Sequence, residues 1–132
     1  MEKKEMKTLI EDAYAEVLNS LKVEKIEKYF GTQYLQTTDG VNSTFNQFKQ
    51  HIVALQKVTQ KIQVTNFQEE IFDVENQKIF LHYVVNVTKI DGKIGHVEVF
   101  AVFTVSENKI VRCEELTRAL DDKTLNELGS KK

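Results

Sequence analysis

The sequence predicts an α+β fold, with three N-terminal helices packed on a curved, mostly antiparallel sheet of four long strands plus a short one. Three observations carry this expectation. Apolar residues recur at helical spacing in the first half and switch to alternation in the second, from about Lys61 to Ala119. The alternating half is cut by turn signals at Glu75-Asn76-Gln77, Asp91-Gly92 and Ser106-Glu107-Asn108. Helices first and a strand meander afterwards place the helices on one face of the sheet, with a cavity between the layers.

Taken in order, residues 5–21 form the first helix, with Leu9, Ile10, Ala13, Tyr14, Val17, Leu18 and Leu21 as its apolar stripe. A short second helix runs from Val23 to Tyr29 or Phe30 and stops at Gly31. Tyr34 to Thr38 is a brief extended segment closed by Asp39-Gly40. Asn42-Ser43-Thr44 offers cap residues for a third helix, whose stripe is Phe45, Phe48, Ile52 and Leu55. The long strands are Ile62 to Val74, Lys78 to Ile90, one around Val97 to Val105, and Lys109 to Thr117. Asp91-Gly92 reads as a two-residue hairpin. In both central strands one face is purely apolar (Leu81, Tyr83, Val99, Ala101 and Phe103 among others) and turns toward the helices. The opposite face is mixed but holds Phe80, Val84, Phe100 and Val102, which predicts a homodimer through the outer sheet face. Residues 1–120 make one domain, and 121–132 a polar tail expected to fray.

Composition excludes several functions. A chain of 132 residues, 41% hydrophobic and 29% charged, is ordinary for one soluble globular domain. A net charge of -2 with dispersed lysines leaves no electrostatic footprint for nucleic acid. No apolar run approaches the roughly 20 residues that span a bilayer, and Met1 to Glu5 runs straight into the helical pattern, so neither membrane nor signal peptide is expected. The lone Cys113 excludes an internal disulfide and a cysteine-cluster zinc site, and fits a reducing cytoplasm. The three histidines lack metal-ligand spacing; neither metal nor cofactor is expected. With no proline, every turn relies on Gly, Asn or Asp.

Ile26-x-x-Tyr29-Phe30-x-x-x-Tyr34-x-Gln36, then Asp39-Gly40, Phe45-x-x-Phe48-x-x-His51, and finally Asn108-Lys109-Ile110-Val111-x-x-x-Glu115 resemble the SnoaL-like branch of the nuclear transport factor 2-like superfamily. The resemblance spans about residues 5–119. It implies a cone-shaped α+β barrel with an internal pocket and, commonly, a homodimer. The superfamily includes polyketide cyclases, ketosteroid isomerase, limonene-epoxide hydrolase, dehydratases and non-catalytic binding domains, so it leaves function open.

Within this frame Glu115 is the leading candidate. If Val111 and Cys113 face inward, period two turns Glu115 and Thr117 inward as well. A carboxyl group in an apolar cavity has a raised pKa and can serve as general acid or base. The plain alternatives are an internal glutamate bonded to a tyrosine or histidine, or a glutamate at the rim. The resemblance sets Cys113 and Glu115 against a His-x-Asp pair common in polyketide cyclases, so the acid is kept and the imidazole lost. His51, beside the stripe of the third helix, could supply an imidazole from another element or be a satisfied boundary residue. Cys113 is a small buried residue, or a nucleophile if His51 activates it. Tyr14 lies where ketosteroid isomerase-like proteins carry an oxyanion-hole tyrosine. The base that enzyme needs is absent near Gln36, Thr37 and Thr38, and its aspartate donor matches Ala101; steroid isomerisation is disfavoured. Either Tyr34 and Gln36 or Leu35 and Thr37 face inward. His82 and His96 fall on the outer face as surface or interface residues.

Two readings follow. One is a pocket for a small hydrophobic molecule, with Glu115 as acid or base, His51 and Tyr14 as polarising partners, and Phe48, Leu81, Tyr83, Val99, Ala101, Phe103 and Cys113 as lining. The other is a dimeric binding or assembly domain without turnover.

Overall fold

The computed structural model describes residues 1–64 and 66–127. Helix α1 covers Lys3–Ala13 and opens on a reciprocal cap, in which the Glu2 amide donates to Glu5 Oε1 at 2.8 Å. The chain continues as one wider π-helical turn, Tyr14–Asn19, rather than as uniform α-helix to residue 21. It ends at Leu21, a non-glycine residue with φ of 51°. The expected second helix is a 3-10 turn, Val23–Lys25, followed by α2, Ile26–Tyr29. Helix α3 spans Phe45–Val58, and its cap is Thr44, whose Oγ1 accepts from the Gln47 amide at 3.3 Å.

The fold class holds, but the strand inventory changes. Seven strands form one sheet: β1 (Phe30–Thr38), β2 (Val41–Thr44), β3 (Thr59–Val64), β4 (Glu69–Asp73), β5 (Lys78–Lys89), β6 (Ile94–Ser106) and β7 (Lys109–Ala119). They run in the order β2-β1-β7-β6-β5-β3, with β4 beside β3 on β5. The brief segment expected at Tyr34 to Thr38 is a nine-residue strand starting at Phe30, because it pairs with β7 in parallel as well as with β2. The single strand expected over Ile62 to Val74 is two, β3 and β4, which pair with opposite ends of β5; Thr65 lies outside the described residues. No ladder joins the edge strands β2 and β3 among the described residues, so the sheet is curved but unclosed rather than a barrel. Helix α3 connects these edges and touches β1, β2 and β3.

Turn chemistry accounts for the registers. Asp39 and Gly40, at φ of 50° and 84°, form the two-residue turn that joins β1 to β2. Asp91-Gly92 does not make the expected two-residue hairpin: β5 and β6 are joined by Ile90 to Lys93, and only Gly92 takes a positive φ. Asp91 instead keeps an ordinary backbone and accepts a hydrogen bond from the Lys93 amide at 3.0 Å. Val111 is the extra residue of a bulge between β6 and β7, so the inward side chains are Ile110 and then Cys113, not Val111. From Cys113 onward the alternation is as expected, and Glu115 faces Ala101 across the ladder.

The inner sheet face packs on Met6, Leu9, Ile10, Ala13, Tyr14 and Val17 of the first helical segment and on Phe45, Phe48, Ile52 and Leu55 of α3. One further element belongs to this layer. Lys123–Glu127 forms a C-terminal 3-10 helix whose Leu125 is 3% exposed. The tail expected to fray from Asp121 is therefore ordered through this turn. It is pinned by the His96 amide and Nδ1 to Asp121 (3.0 and 2.7 Å) and by Lys89 to Asp122 and Thr124. The remainder of that tail lies outside the described residues.

Candidate functional site

Between the helices and the inner sheet face lies a cavity of about 110 Å³. Its walls are aliphatic and aromatic, with polar side chains concentrated at Tyr14, Tyr34, Gln36, His51, Tyr83 and Glu115. Eight of the ten residues expected at the site line it: Tyr14, Phe48, His51, Tyr83, Val99, Phe103, Cys113 and Glu115. Leu81 and Ala101 do not; they are fully buried, pair with each other across β5 and β6, and belong to the solid core. Thr117, expected to turn inward beside Glu115, lines the cavity as well, whereas sequence reasoning missed Thr38 and Leu125. Leu125 packs over Gly95, where an added Cβ would stand 2.3 Å from Leu125 Cδ1.

Glu115 sits at the end of an oriented hydrogen-bond relay. Strand β1 turns Tyr34, Gln36 and Thr38 inward and Leu35 and Thr37 outward, which decides the alternative the sequence left open. Tyr34 OH donates to Gln36 Oε1 at 2.6 Å, Gln36 Nε2 donates to Thr38 Oγ1 at 3.0 Å, and Thr38 Oγ1 donates to Glu115 Oε2 at 2.9 Å. The direction is fixed at the middle, because an amide NH₂ can only donate and so leaves the Thr38 hydrogen for the carboxyl group. The other oxygen, Oε1, receives Cys113 Sγ at 3.7 Å, a weak donor. This meeting depends on the parallel pairing of β1 with β7, which sets Thr38 opposite Glu115 and Gln36 opposite Cys113. Asp39 holds the strands in that register: its amide donates to the Glu115 carbonyl at 3.0 Å and its carboxylate takes the Thr117 amide (2.8 Å) and hydroxyl.

Glu115 is half-buried as a residue, with its carboxyl end enclosed. Burial raises its pKa above the ordinary 4.5, the bonds from Thr38 and Cys113 pull it partly back, and the nearby Asp39 charge pushes it up again. Burial likewise lifts the Cys113 thiol well above its usual value, with the Glu115 charge adding to the effect. A buried thiol held protonated is a poor nucleophile, so Cys113 acts here as lining and as a donor to Glu115.

The second polar cluster is a phenol pair. Tyr14 OH and Tyr83 OH stand 2.7 Å apart, and their rings meet edge to face at 5.2 Å. Phe67 and Phe103 flank Tyr14 at 5.3 and 6.0 Å. Burial holds both phenols well above the usual tyrosine range, so both are protonated at neutral pH. Two hydroxyls that share one hydrogen bond carry two hydrogens. Among the described residues the second hydrogen has no acceptor. His51 is buried on α3 and lines the same cavity.

The outer-face histidines stay apart from this site. His82 stacks on Phe100 at 4.1 Å and bonds Glu98 Oε2 at 2.9 Å, while His96 is held by Asp121. Among the described residues no group of histidine, cysteine and acidic side chains is arranged to hold a metal ion, and no helix is long and apolar enough to cross a membrane.

No protein-family model and no curated protein matches the sequence. Solved structures do match in shape. AclR from Streptomyces galilaeus, provisionally described as a hydroxylase, superposes with a TM-score of 0.78 at 13% identity, over 99% of this chain and 89% of that one. BvnE, a pinacolase from Penicillium brevicompactum, gives 0.75 at 11% identity, over 86% of each chain. A provisionally assigned polyketide cyclase from Acidithiobacillus ferrooxidans gives 0.71 at 14% identity, over 89% of this chain and 91% of that one. At such identities the likeness shows the fold alone. The chain thus has the SnoaL-like, nuclear transport factor 2-like fold that its motifs resemble.

Proposed function

We propose that this chain is a small-molecule pocket protein of the SnoaL-like type, whose cavity takes a small hydrophobic molecule and exchanges a proton with it at Glu115. The single observation that carries this reading is the relay from Tyr34 through Gln36 and Thr38, which ends on a carboxyl group inside an otherwise apolar cavity. A side chain there serves packing poorly, since burying a carboxyl group opposes folding unless something is gained from it. Its raised pKa brings it toward neutral pH, where an acid or base is most effective. The spare phenolic hydrogen of the Tyr14–Tyr83 pair offers a donor to an oxygen or nitrogen atom of the bound molecule. His51 completes the set as a polarising group. The cavity is smaller than the roughly 300–1,000 Å³ of drug-sized sites, so the molecule is small or the walls yield to it.

A thermal-shift screen against small hydrophobic compounds tests the pocket, because a ligand that binds only the folded state raises its midpoint. Turnover of a compound so identified then tests the chemistry. Glu115→Gln should abolish it while binding persists; unchanged turnover would remove Glu115 from the mechanism.

One observation favours a second reading, a dimeric binding or assembly domain. Ile71, Phe80, Phe100 and Leu116 share the outer sheet face, and Phe100 and Leu116 are 43% and 67% exposed. On this reading Phe100→Glu lowers the sedimenting mass to that of a monomer, and Glu115→Gln changes nothing.

A further inference from the structure

The cavity has an electrostatic sign. Six aromatic rings line it in two clusters. Phe30, Tyr34 and Phe48 lie with centroids 4.8–5.1 Å apart, and Tyr14, Tyr83 and Phe103 lie 5.2–6.0 Å apart along the contacts of Tyr14. Ring faces and phenol oxygens present negative charge. Among the described residues Glu115 is the one acidic group in the wall, and no lysine or arginine lines the cavity. The two basic residues nearest in the chain, each three positions away, are turned outward: Arg112 spends its guanidinium on the Leu35 and Cys113 carbonyls and on Thr37, and Arg118 bonds Glu98 Oε1. The titratable groups facing Glu115 are Tyr34 from β1, Asp39 from the turn after it, Cys113 from β7, Tyr14 from the π-helical turn, Tyr83 from β5 and, across the cavity, His51 from α3. Apart from His51, none of these groups can carry a positive charge. Among the described residues no lysine or arginine pairs with the Glu115 carboxyl group, although a buried acid is usually accompanied by a cation.

We propose that the cavity's ligand is a small aliphatic or alicyclic amine, its ammonium group paired with Glu115 and its carbon skeleton held among the aromatic rings. This rests on the pocket reading above and narrows it to one chemical class. Charge-assisted hydrogen bonds are about twice as strong as neutral ones, and cations gain further from ring faces. The cavity volume sets the size, since an engineered cavity of roughly 150 Å³ accepts benzene and this one is somewhat smaller. The complex holds one proton between carboxyl and amine. Below the pKa of Glu115 both partners are protonated and one proton must leave; above the amine's own pKa one must enter. Affinity therefore rises with pH through the Glu115 titration, levels off, and falls once the free amine deprotonates. A neutral ketone of the same shape, bonded by the protonated acid, behaves oppositely and weakens as pH rises through the same titration.

The test is calorimetric titration of the whole chain with cyclopentylamine, cyclopentanone and cyclopentanecarboxylate at a series of pH values from acid to mildly alkaline. The amine is expected to bind about tenfold more tightly than the ketone above the Glu115 titration, with the rising pH profile, and the carboxylate weakest of the three. Glu115→Gln should erase the amine's advantage and leave ketone binding in place. Should that variant fail to fold, the opposite pH slopes of amine and ketone in the unaltered protein decide the matter. Ketone binding equal to or tighter than the amine overturns the amine assignment and leaves the pocket reading standing. Tightest binding of the carboxylate overturns it in favour of His51 as the cavity's cation. Binding of none of the three overturns both.

Discussion

The two polar clusters of the cavity are built differently. On β1 and β7, Tyr34, Gln36, Thr38 and Glu115 form a relay in which each donor has its acceptor and the direction is set by the Gln36 amide. Across the cavity, Tyr14 and Tyr83 share one hydrogen bond and, among the described residues, hold one hydrogen without an acceptor. A satisfied relay fixes a group in place; an unsatisfied pair is ready to meet something else. On the proposed function the difference assigns roles: the relay would set the position and acidity of Glu115, and the phenol pair would meet the ligand.

Substitutions can separate these roles, and the largest effect should come from the wall that touches neither cluster. Leu125→Ala removes a fully buried side chain and should lower unfolding free energy by about 2–3 kcal/mol in urea titration, while leaving the Glu115 titration where it was. A Glu115 shift in that variant would show that the C-terminal turn acts on the relay. Next, Thr38→Val strips the middle of the relay and leaves Gln36 Nε2 and Glu115 Oε2 without their partners, for a loss of about 2 kcal/mol. Because the Thr38 bond lowers the Glu115 pKa, its removal should move that pKa further up. Loss of stability without that shift would mean that Thr38 serves packing alone.

Smaller effects are expected at the phenol pair. Tyr14→Phe and Tyr83→Phe should each cost about 1 kcal/mol, and the double variant less than their sum, since either change already breaks the shared bond. Additive losses would show that the two hydroxyls act separately. The smallest effect is a pH trend. Glu115 has a folded-state pKa above its unfolded value, so its contribution to stability is fully present below the unfolded pKa, near 4.5, and is lost as pH rises through the folded pKa. Glu115→Gln should match the unaltered chain at acid pH and gain on it toward alkaline pH, as read from urea midpoints.

How far the sequence anticipates this arrangement depends on the range of the interaction. Asp39-Gly40 was legible because both residues adopt the positive φ that the turn demands, and the α3 cap because the cap-forming run Asn42-Ser43-Thr44 directly precedes the apolar stripe, although only the structure singles out Thr44. Asp91-Gly92 carried the same signal with a different outcome, since Asp91 bonds the Lys93 amide instead of entering the left-handed region. The strand over Ile62 to Val74 read as continuous because nothing local says that its halves pair with different ends of β5. The relay was half visible. Alternation aims Glu115 inward, but its partner Thr38 lies 77 residues away and reaches it only through the parallel pairing of β1 with β7, which leaves no local trace. Leu125 was hidden by its polar neighbours, and only its packing over Gly95 reveals it as part of the wall.

The most direct test of this account is the titration of the Glu115 side-chain carboxyl carbon by NMR in the empty protein. The account predicts a midpoint above 4.5, moved higher by Thr38→Val and lower by a bound amine. A midpoint at or below 4.5, indifferent to both, would contradict it.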